Sequence, residues 1–266
     1  MRISAMFFST FLATSSLANA QELPHWEQTK STGMADVGVS RAGGIWLVGS
    51  NGTIWFTRRG DTFAEESGVS GFGRISAGDG NEDVAAVGHG NHTLWYRTKG
   101  QKHNWMKITA SDVADVALGD ETWIAGTNGT IWYSPGTPFS AMEFKQIKAS
   151  GFCRVATHSR DLWAVGCNGS LWRYQRNFRT NSAWDAGEWI RTAASGIRDV
   201  AADEYDALWL TGKNGSVWKS AGKNVRSNLK DFEQIAPPGS GFFSIDAAHG
   251  EVYAVKTDGT VWRYRH

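Results

Sequence analysis

Six amide or carboxylate side chains recur in one setting along this sequence. Asn51, Asn91, Asn128, Asn168, Asn214 and Asp258 each stand two residues before a Thr or Ser and four before a tryptophan. Amides and carboxylates hydrogen-bond sugar hydroxyls, and a nearby aromatic ring covers the apolar face of a sugar, so the set reads as a repeated carbohydrate-binding group. Any single Asn also reads as a simple turn-former, so the hypothesis concerns the set and not a member. His89 and His92 flank Asn91 and join the candidates. As a metal pair they lack a carboxylate or cysteine at ligand spacing, and two surface histidines in one turn is the simpler reading. Trp184 sits in the long 175–187 insertion, outside the repeat, and is a candidate exposed aromatic. The five Asn are also glycosylation acceptor patterns, which matter only in a eukaryotic secretory route.

These residues must be positioned by whatever repeats around them. The phrase from Trp46 to Trp55 (WLVGSNGTIW) returns at 123–132, 163–172, 209–218 and 253–262, with a sixth, altered copy at 85–95. That copy has Ala85 in place of the first tryptophan and a turn one residue longer. The closing tryptophans lie 37 to 46 residues apart. Each phrase reads as a β-hairpin in which Asn-Gly or Asp-Gly supplies two positive-φ positions. A short strand precedes each hairpin (35–39, 74–77, 113–117, 154–157, 199–202, 243–247). An aromatic-led strand follows five of them, at Phe63, Trp105, Phe144, Trp189 and Phe232. Four strands in about 40 residues is the size of one propeller blade. The last hairpin has no following strand, whereas Trp26-Glu27-Gln28 is an unattached strand of the outer type. The expected fold is therefore all-β: a six-bladed β-propeller of four-stranded antiparallel blades, closed by an N-terminal strand that completes the last blade. Sheets covered on both faces bury consecutive apolar residues, so the repeated tryptophans read as packing first and ligand platforms second.

Composition narrows the partners. Arg2, the apolar stretch Ala5–Leu17 and the small-x-small triplet 18–20 have the layout of a secretory signal peptide cleaved after Ala20, leaving 21–266 as the propeller. The expected location is secreted or periplasmic. The apolar stretch is shorter than the roughly 20 residues of a membrane span. Without Arg2 the remaining basic and acidic residues balance, which gives no footprint for nucleic acid. Cys153 and Cys167 are the only cysteines. Antiparallel pairing about residue 160 sets them opposite each other on one sheet face, which predicts a disulfide; two unpaired buried thiols are the alternative.

The pattern Trp-x-Val-Gly-x-Asn-Gly-Thr-Ile-Trp, with its aromatic-led and short middle strands, resembles the tectonin repeat over about residues 24–266. The resemblance implies a six-bladed propeller and a lectin that recognises lipopolysaccharide or another surface polysaccharide. Some relatives are protein-interaction modules, so an exported protein-binding propeller, such as an inhibitor or immunity protein, is the second reading. Blade two departs from the pattern, which implies that its site is missing or altered. No His-Glu-x-x-His, Gly-x-Ser-x-Gly or phosphate-cradling motif occurs. The turn at 257–262 echoes the aspartate boxes of sialidase-like propellers, but their arginine cluster, tyrosine nucleophile and acid are not identifiable. The expectation is a monomeric binder with no catalytic residue, metal or cofactor.

Overall fold

The computed structural model describes residues 25–58, 60, 62–66, 68–78, 83–98, 104–135, 143–158, 161–175, 187–203, 207–220 and 231–265. Residues 1–20 and Trp184 lie outside them. Strand β1 (His25–Gln28) precedes blade 1, which is β2 (Met34–Val39), β3 (Gly44–Gly49), β4 (Ile54–Arg58) and β5 (Ala64–Glu65). Blade 2 is β6 (Phe72–Ala77), β7 (Val84–Gly88), β8 (Leu94–Arg97) and β9 (Met106–Lys107). Blade 3 is β10 (Val113–Leu118), β11 (Glu121–Gly126), β12 (Ile131–Pro135) and β13 (Lys145–Ile147). Blade 4 is β14 (Phe152–His158), β15 (Asp161–Gly166), β16 (Leu171–Gln175) and β17 (Glu188–Arg191). Blade 5 is β18 (Ile197–Ala202), β19 (Leu208–Gly212), β20 (Val217–Ser220) and β21 (Phe232–Ala236). Blade 6 is β22 (Phe242–Ala248), β23 (Glu251–Lys256) and β24 (Val261–Arg265), with β1 as its outer strand. In that closing pair Trp26 lies opposite Tyr264 and Gln28 opposite Trp262. The ring is shut by its first strand, as the sequence predicts.

Packing follows from the period of two along each strand. In β3, Trp46 and Val48 point into the interface with blade 2, while Ile45 and Leu47 point into the interface with blade 6. Both faces are covered, so the whole strand is buried, which is why it reads as a continuous apolar run. Six such clusters fill the six interfaces. Trp46, Trp123 and Trp209 are fully buried there, each contributing about 2–3 kcal/mol by area. In blade 2, Ala85 stands opposite Tyr96, which is fully buried, as Trp123 stands opposite the buried Tyr133 in blade 3.

The hairpin turn differs from the two-residue type expected. Gly49 N–H donates to Thr53 O, and Gly52 N–H to Gly49 O, both at 2.8 Å, so the loop has three residues. Only its glycine is left-handed, with φ +83° at Gly52, while Asn51 keeps a negative φ. This is a type I turn followed by a G1 bulge. The glycine is also required by its neighbour: a β-carbon on Gly52 would stand 2.7 Å from the Gly71 nitrogen of blade 2.

The six inner strands meet at the axis. At one equivalent position, just past a bulge in each, they carry Asp36, Arg74, Asp115, Arg154, Asp199 and Ser244. Arg74 donates to all three carboxylates, to Asp36 at 2.7 Å, Asp115 at 2.9 Å and Asp199 at 3.2 Å. The second oxygen of each Asp accepts the backbone N–H of the next blade, from Ile75, Val155 and Ile245. Ser244 donates to Asp36, and Arg154 lies 3.7 Å from Asp199. Below them Asp246 accepts from Val39 N–H at 2.7 Å and Ala247 N–H at 2.9 Å, which bridges blade 6 to blade 1. The remaining axial space is about 50 Å³, enough for a few water molecules and no larger ligand. Burial pushes Asp246 up to about 8 despite its two backbone donors. Burial also raises Asp36 to about 6, against the pull of the Arg74 guanidinium and with the help of the nearby Asp199 charge.

Cys153 and Cys167 form a disulfide, with Cα atoms 5.0 Å apart. Cys153 is the bulged residue of β14, and Cys167 follows β15 in the hairpin turn. The bridge therefore ties the inner strand to the turn that bears Asn168.

Three outcomes follow for stability. Arg74→Met leaves three buried carboxylates without their shared cation and should cost about 3–5 kcal/mol, read as a Tm drop of about 10 °C. Folded Asp36 and Asp246 hold protons that the unfolded chain releases near pH 4. Their stabilisation is present below that pH and is lost as pH rises through about 6 and then 8. Thermal melts should therefore fall in Tm between pH 5 and pH 9, and Asp246→Asn should flatten the upper half of that slope. Replacing both cysteines by Ser should cost about 3 kcal/mol in urea unfolding.

Candidate functional site

The Asn-Gly turns emerge at one end of the ring, beside the linkers that carry the chain from each outer strand to the next inner strand. Asn51, Asn91, Asn128, Asn168, Asn214 and Asp258 are all exposed there, as are His89 and His92. In every blade the same relay is built. The Trp55 indole N–H donates to Thr53 Oγ1 at 2.9 Å, and the Thr53 hydroxyl donates to Asn51 Oδ1 at 2.7 Å. The Thr53 backbone N–H donates to the same oxygen at 3.1 Å. Equivalent bonds join Trp132, Thr130 and Asn128; Trp172, Ser170 and Asn168; Trp218, Ser216 and Asn214; and Trp262, Thr260 and Asp258.

This geometry changes what each Asn can offer. Its carbonyl oxygen is consumed by two internal donors, so the turn-forming role is real, and the group left facing out is the Nδ2 amide donor. The hydroxyl between Asn and Trp is also occupied, as donor and acceptor, and it holds the indole in a fixed orientation. Asp258 keeps its second oxygen as an acceptor. The Thr260 hydroxyl and amide hold its carboxyl below the ordinary range.

Blade 2 retains this chemistry. Asn91 Oδ1 accepts from Thr93 at 2.9 Å, and Thr93 accepts from Trp95 at 2.9 Å. The extra residue is Gly90, and His92 takes the left-handed place of the turn glycine, with φ +51°. Its carbonyl receives Val113 N–H at 2.9 Å, as Gly52 O receives Phe72 N–H in blade 1. His92 Nδ1 lies 3.2 Å from Val113 O, so this imidazole braces the junction. The insertion is absorbed in the backbone, and the altered copy keeps its relay. No cluster of three or more metal-ligating side chains occurs among the described residues.

Above the relays lie clefts. The blade 3 cleft, about 390 Å³, is lined by Trp132, Asn128, Thr130, Asp112 and Phe144. The blade 4 cleft, about 580 Å³, is lined by Trp172, Asn168, Ser170, Lys148, Phe152 and Trp189. The blade 5 cleft, about 430 Å³, is lined by Trp218, Asn214, Ser216, Lys213, Ser195 and Phe232. Each has a half-buried indole in its wall, an aromatic from the outer strand or the residue just before it, and the linker. Phe152 stands edge-on to Trp172 with centroids 6.2 Å apart and stacks on Trp189 at 4.5 Å, so the blade 4 cleft is walled by three rings. The closing tryptophans thus serve both packing and the clefts, whereas Trp46, Trp123 and Trp209 are packing alone.

The linkers and outer-strand aromatics of these clefts were not among the sequence candidates. A signal for the linkers exists in the chain: Ser70-Gly71, Ser150-Gly151, Ser195-Gly196 and Ser240-Gly241 directly precede inner strands, and Ser111-Asp112 takes the same place in blade 3. Asp112 adopts φ +57° where the other linkers use glycine.

No family model matches the chain, and no curated protein matches its sequence. Solved structures do match in shape. YCF48 from Cyanidioschyzon merolae is 16% identical with a TM-score of 0.53, covering 91% of this chain and 98% of that one. Virginiamycin B lyase from Staphylococcus aureus is 12% identical with a TM-score of 0.59, covering 92% and 99%. The Cps50 (Swd1) propeller domain of Myceliophteria thermophila is 10% identical with a TM-score of 0.60, covering 90% and 98%. At these identities the likeness concerns fold alone. By its own strand order and by these neighbours, the chain is a six-bladed β-propeller.

Proposed function

We propose that this chain is a carbohydrate-binding propeller of the tectonin-repeat kind, exported by a signal peptide at 1–20 and folded from 21–266 as a monomer. One observation carries the reading. Three blades present clefts of 390–580 Å³ with the same parts: an oriented indole, an outward amide donor and a serine- or aspartate-bearing linker. Repetition of one polar-plus-aromatic group round a ring suits a surface that displays many copies of one glycan, because weak sites gain strength together. The ligand class is a surface polysaccharide, lipopolysaccharide included. The disulfide supports a non-reducing compartment. A binder is favoured over an enzyme because the buried ionisable groups of the axis spend their bonds on one another and leave space only for water.

The second reading is a protein-binding propeller. It is favoured by the unequal charge of the clefts, Asp112 in blade 3 against Lys148 and Lys213 in blades 4 and 5. A neighbouring fold, YCF48, has been solved bound to D1 peptide.

A glycan array probed with the purified chain decides between them. The lectin reading expects retention on a defined glycan class. Trp172→Ala and Trp218→Ala together should reduce it at least about tenfold through lost avidity, with the fold intact by circular dichroism. Retention on no bacterial or eukaryotic glycan would favour the protein partner.

A further inference from the structure

One cleft position breaks the repeat in a way that has chemical consequences. The residue that opens each turn is Gly49, Gly88, Gly126, Gly166 and Gly212 in blades 1 to 5, and Lys256 in blade 6. The backbone role is identical: Gly166 N–H donates to Ser170 O at 2.8 Å and Lys256 N–H to Thr260 O at 2.9 Å. In the three open clefts this glycine is part of the wall. A β-carbon on Gly166 would stand 2.7 Å from both Asn168 Oδ1 and Ser170 Oγ, so the glycine leaves room for the relay, and no side chain extends from it over the indole.

In blade 6 that space is taken. The Lys256 ammonium lies 3.9 Å from the centroid of the Trp262 ring and 4.7 Å from that of Phe242. At 3.9 Å the nitrogen sits directly on the ring face, in the place where a sugar's C–H groups would stack. For comparison, Arg191 lies 5.9 Å from the Trp172 centroid, at the limit of such an interaction, and Trp172 lines the blade 4 cleft. The Lys256 stem runs beside Gly241 of the linker, its Cδ 4.0 Å from where a β-carbon on that glycine would stand. The position thus fills the gap between linker and indole that is cavity in blade 4. Blade 6 also replaces the turn Asn by Asp258, whose negative charge offsets the added cation. The cleft is therefore not converted into an anion site.

We propose that Lys256 is a built-in occupant of the sixth cleft, so that blade 6 takes no sugar and the ring offers at most five sites. The ligand count rests on the lectin reading; the covering of Trp262 does not. The location has a physical reason. Blade 6 is where the chain's first strand closes the ring: Gln28 pairs with Trp262, and Trp26 packs on Phe242 with centroids 4.7 Å apart. A ligand working its way between Trp262 and Phe242 would bear on the one blade whose outer strand is remote in sequence, and the lysine seals that seam.

The test uses the purified chain labelled with 5-fluorotryptophan, with ¹⁹F resonances assigned by single Trp→Phe variants. The neutral nitroxide TEMPOL should broaden Trp132, Trp172 and Trp218 several-fold more than Trp262. Lys256→Gly, which installs the residue of the other five blades, should bring Trp262 up to their level. Equal broadening in the unaltered chain, or no change in the variant, would overturn the proposal. In the same samples, neutral methyl glycosides of glucose, galactose, mannose and N-acetylglucosamine should shift the three open tryptophans and reach Trp262 only in Lys256→Gly. A Trp262 shift in the unaltered chain would also overturn it. If no tryptophan responds to any glycoside and the glycan array is also blank, the lectin reading fails, and the nitroxide result still decides whether Lys256 covers the ring.

Discussion

Arg74 divides its guanidinium among three carboxylates that come from blades 1, 3 and 5, and so ties four inner strands of the ring together. A blade alone has no use for an Asp on its inner strand. Buried without a cation it would be protonated or destabilising. Held by Arg74, each Asp also accepts a backbone N–H from the inner strand of the following blade, so one cation sets the spacing of alternate junctions. The Asp/Arg alternation gives the axis a repeat of two blades, broken at Ser244 in the sixth. The 6-to-1 junction, which none of these three backbone bonds reaches, is bridged by Asp246, a carboxyl held largely protonated at neutral pH by its burial.

With the centre fixed, the blades splay outwards and the linkers cross above them, which produces the clefts. Cleft and turn are mechanically one object. The Asn side chain holds the hydroxyl, the hydroxyl holds the indole, and the turn glycine lets the next blade's linker approach to backbone distance. A group that would cost free energy to orient on binding is already oriented by the fold. The disulfide strengthens this in blade 4, where the turn that bears Asn168 is tied to the inner strand and the largest of the three clefts opens.

The repeat made much of this visible beforehand. Strand number, blade count, the closing role of Trp26 and the pairing of Cys153 with Cys167 all follow from phrases that recur at regular spacing, because hydrophobic period and turn residues are local properties. The turn type did not follow. Asn-Gly suits a two-residue turn, and only the bond from Thr53 to the Asn51 side chain shows why Asn51 stays out of the left-handed region. Blade 2 likewise looked degraded at Ala85 and Gly90. The inserted residue is spent in the backbone, and the Asn91–Thr93–Trp95 relay is intact.

What the sequence determined by itself is the unit: four strands and six copies of one Asn/Asp-x-Thr/Ser-x-Trp spacing, since hairpin patterns are written within a few residues. What only the tertiary structure decided is everything made where copies meet. Asp36, Arg74, Asp115 and Asp199 are scattered over more than 160 positions and form one cluster solely because a closed ring brings its inner strands to a common axis. The clefts need a linker from one blade laid over the next. Charge and shape at such meeting points depend on the angle between sheets, which no local pattern encodes.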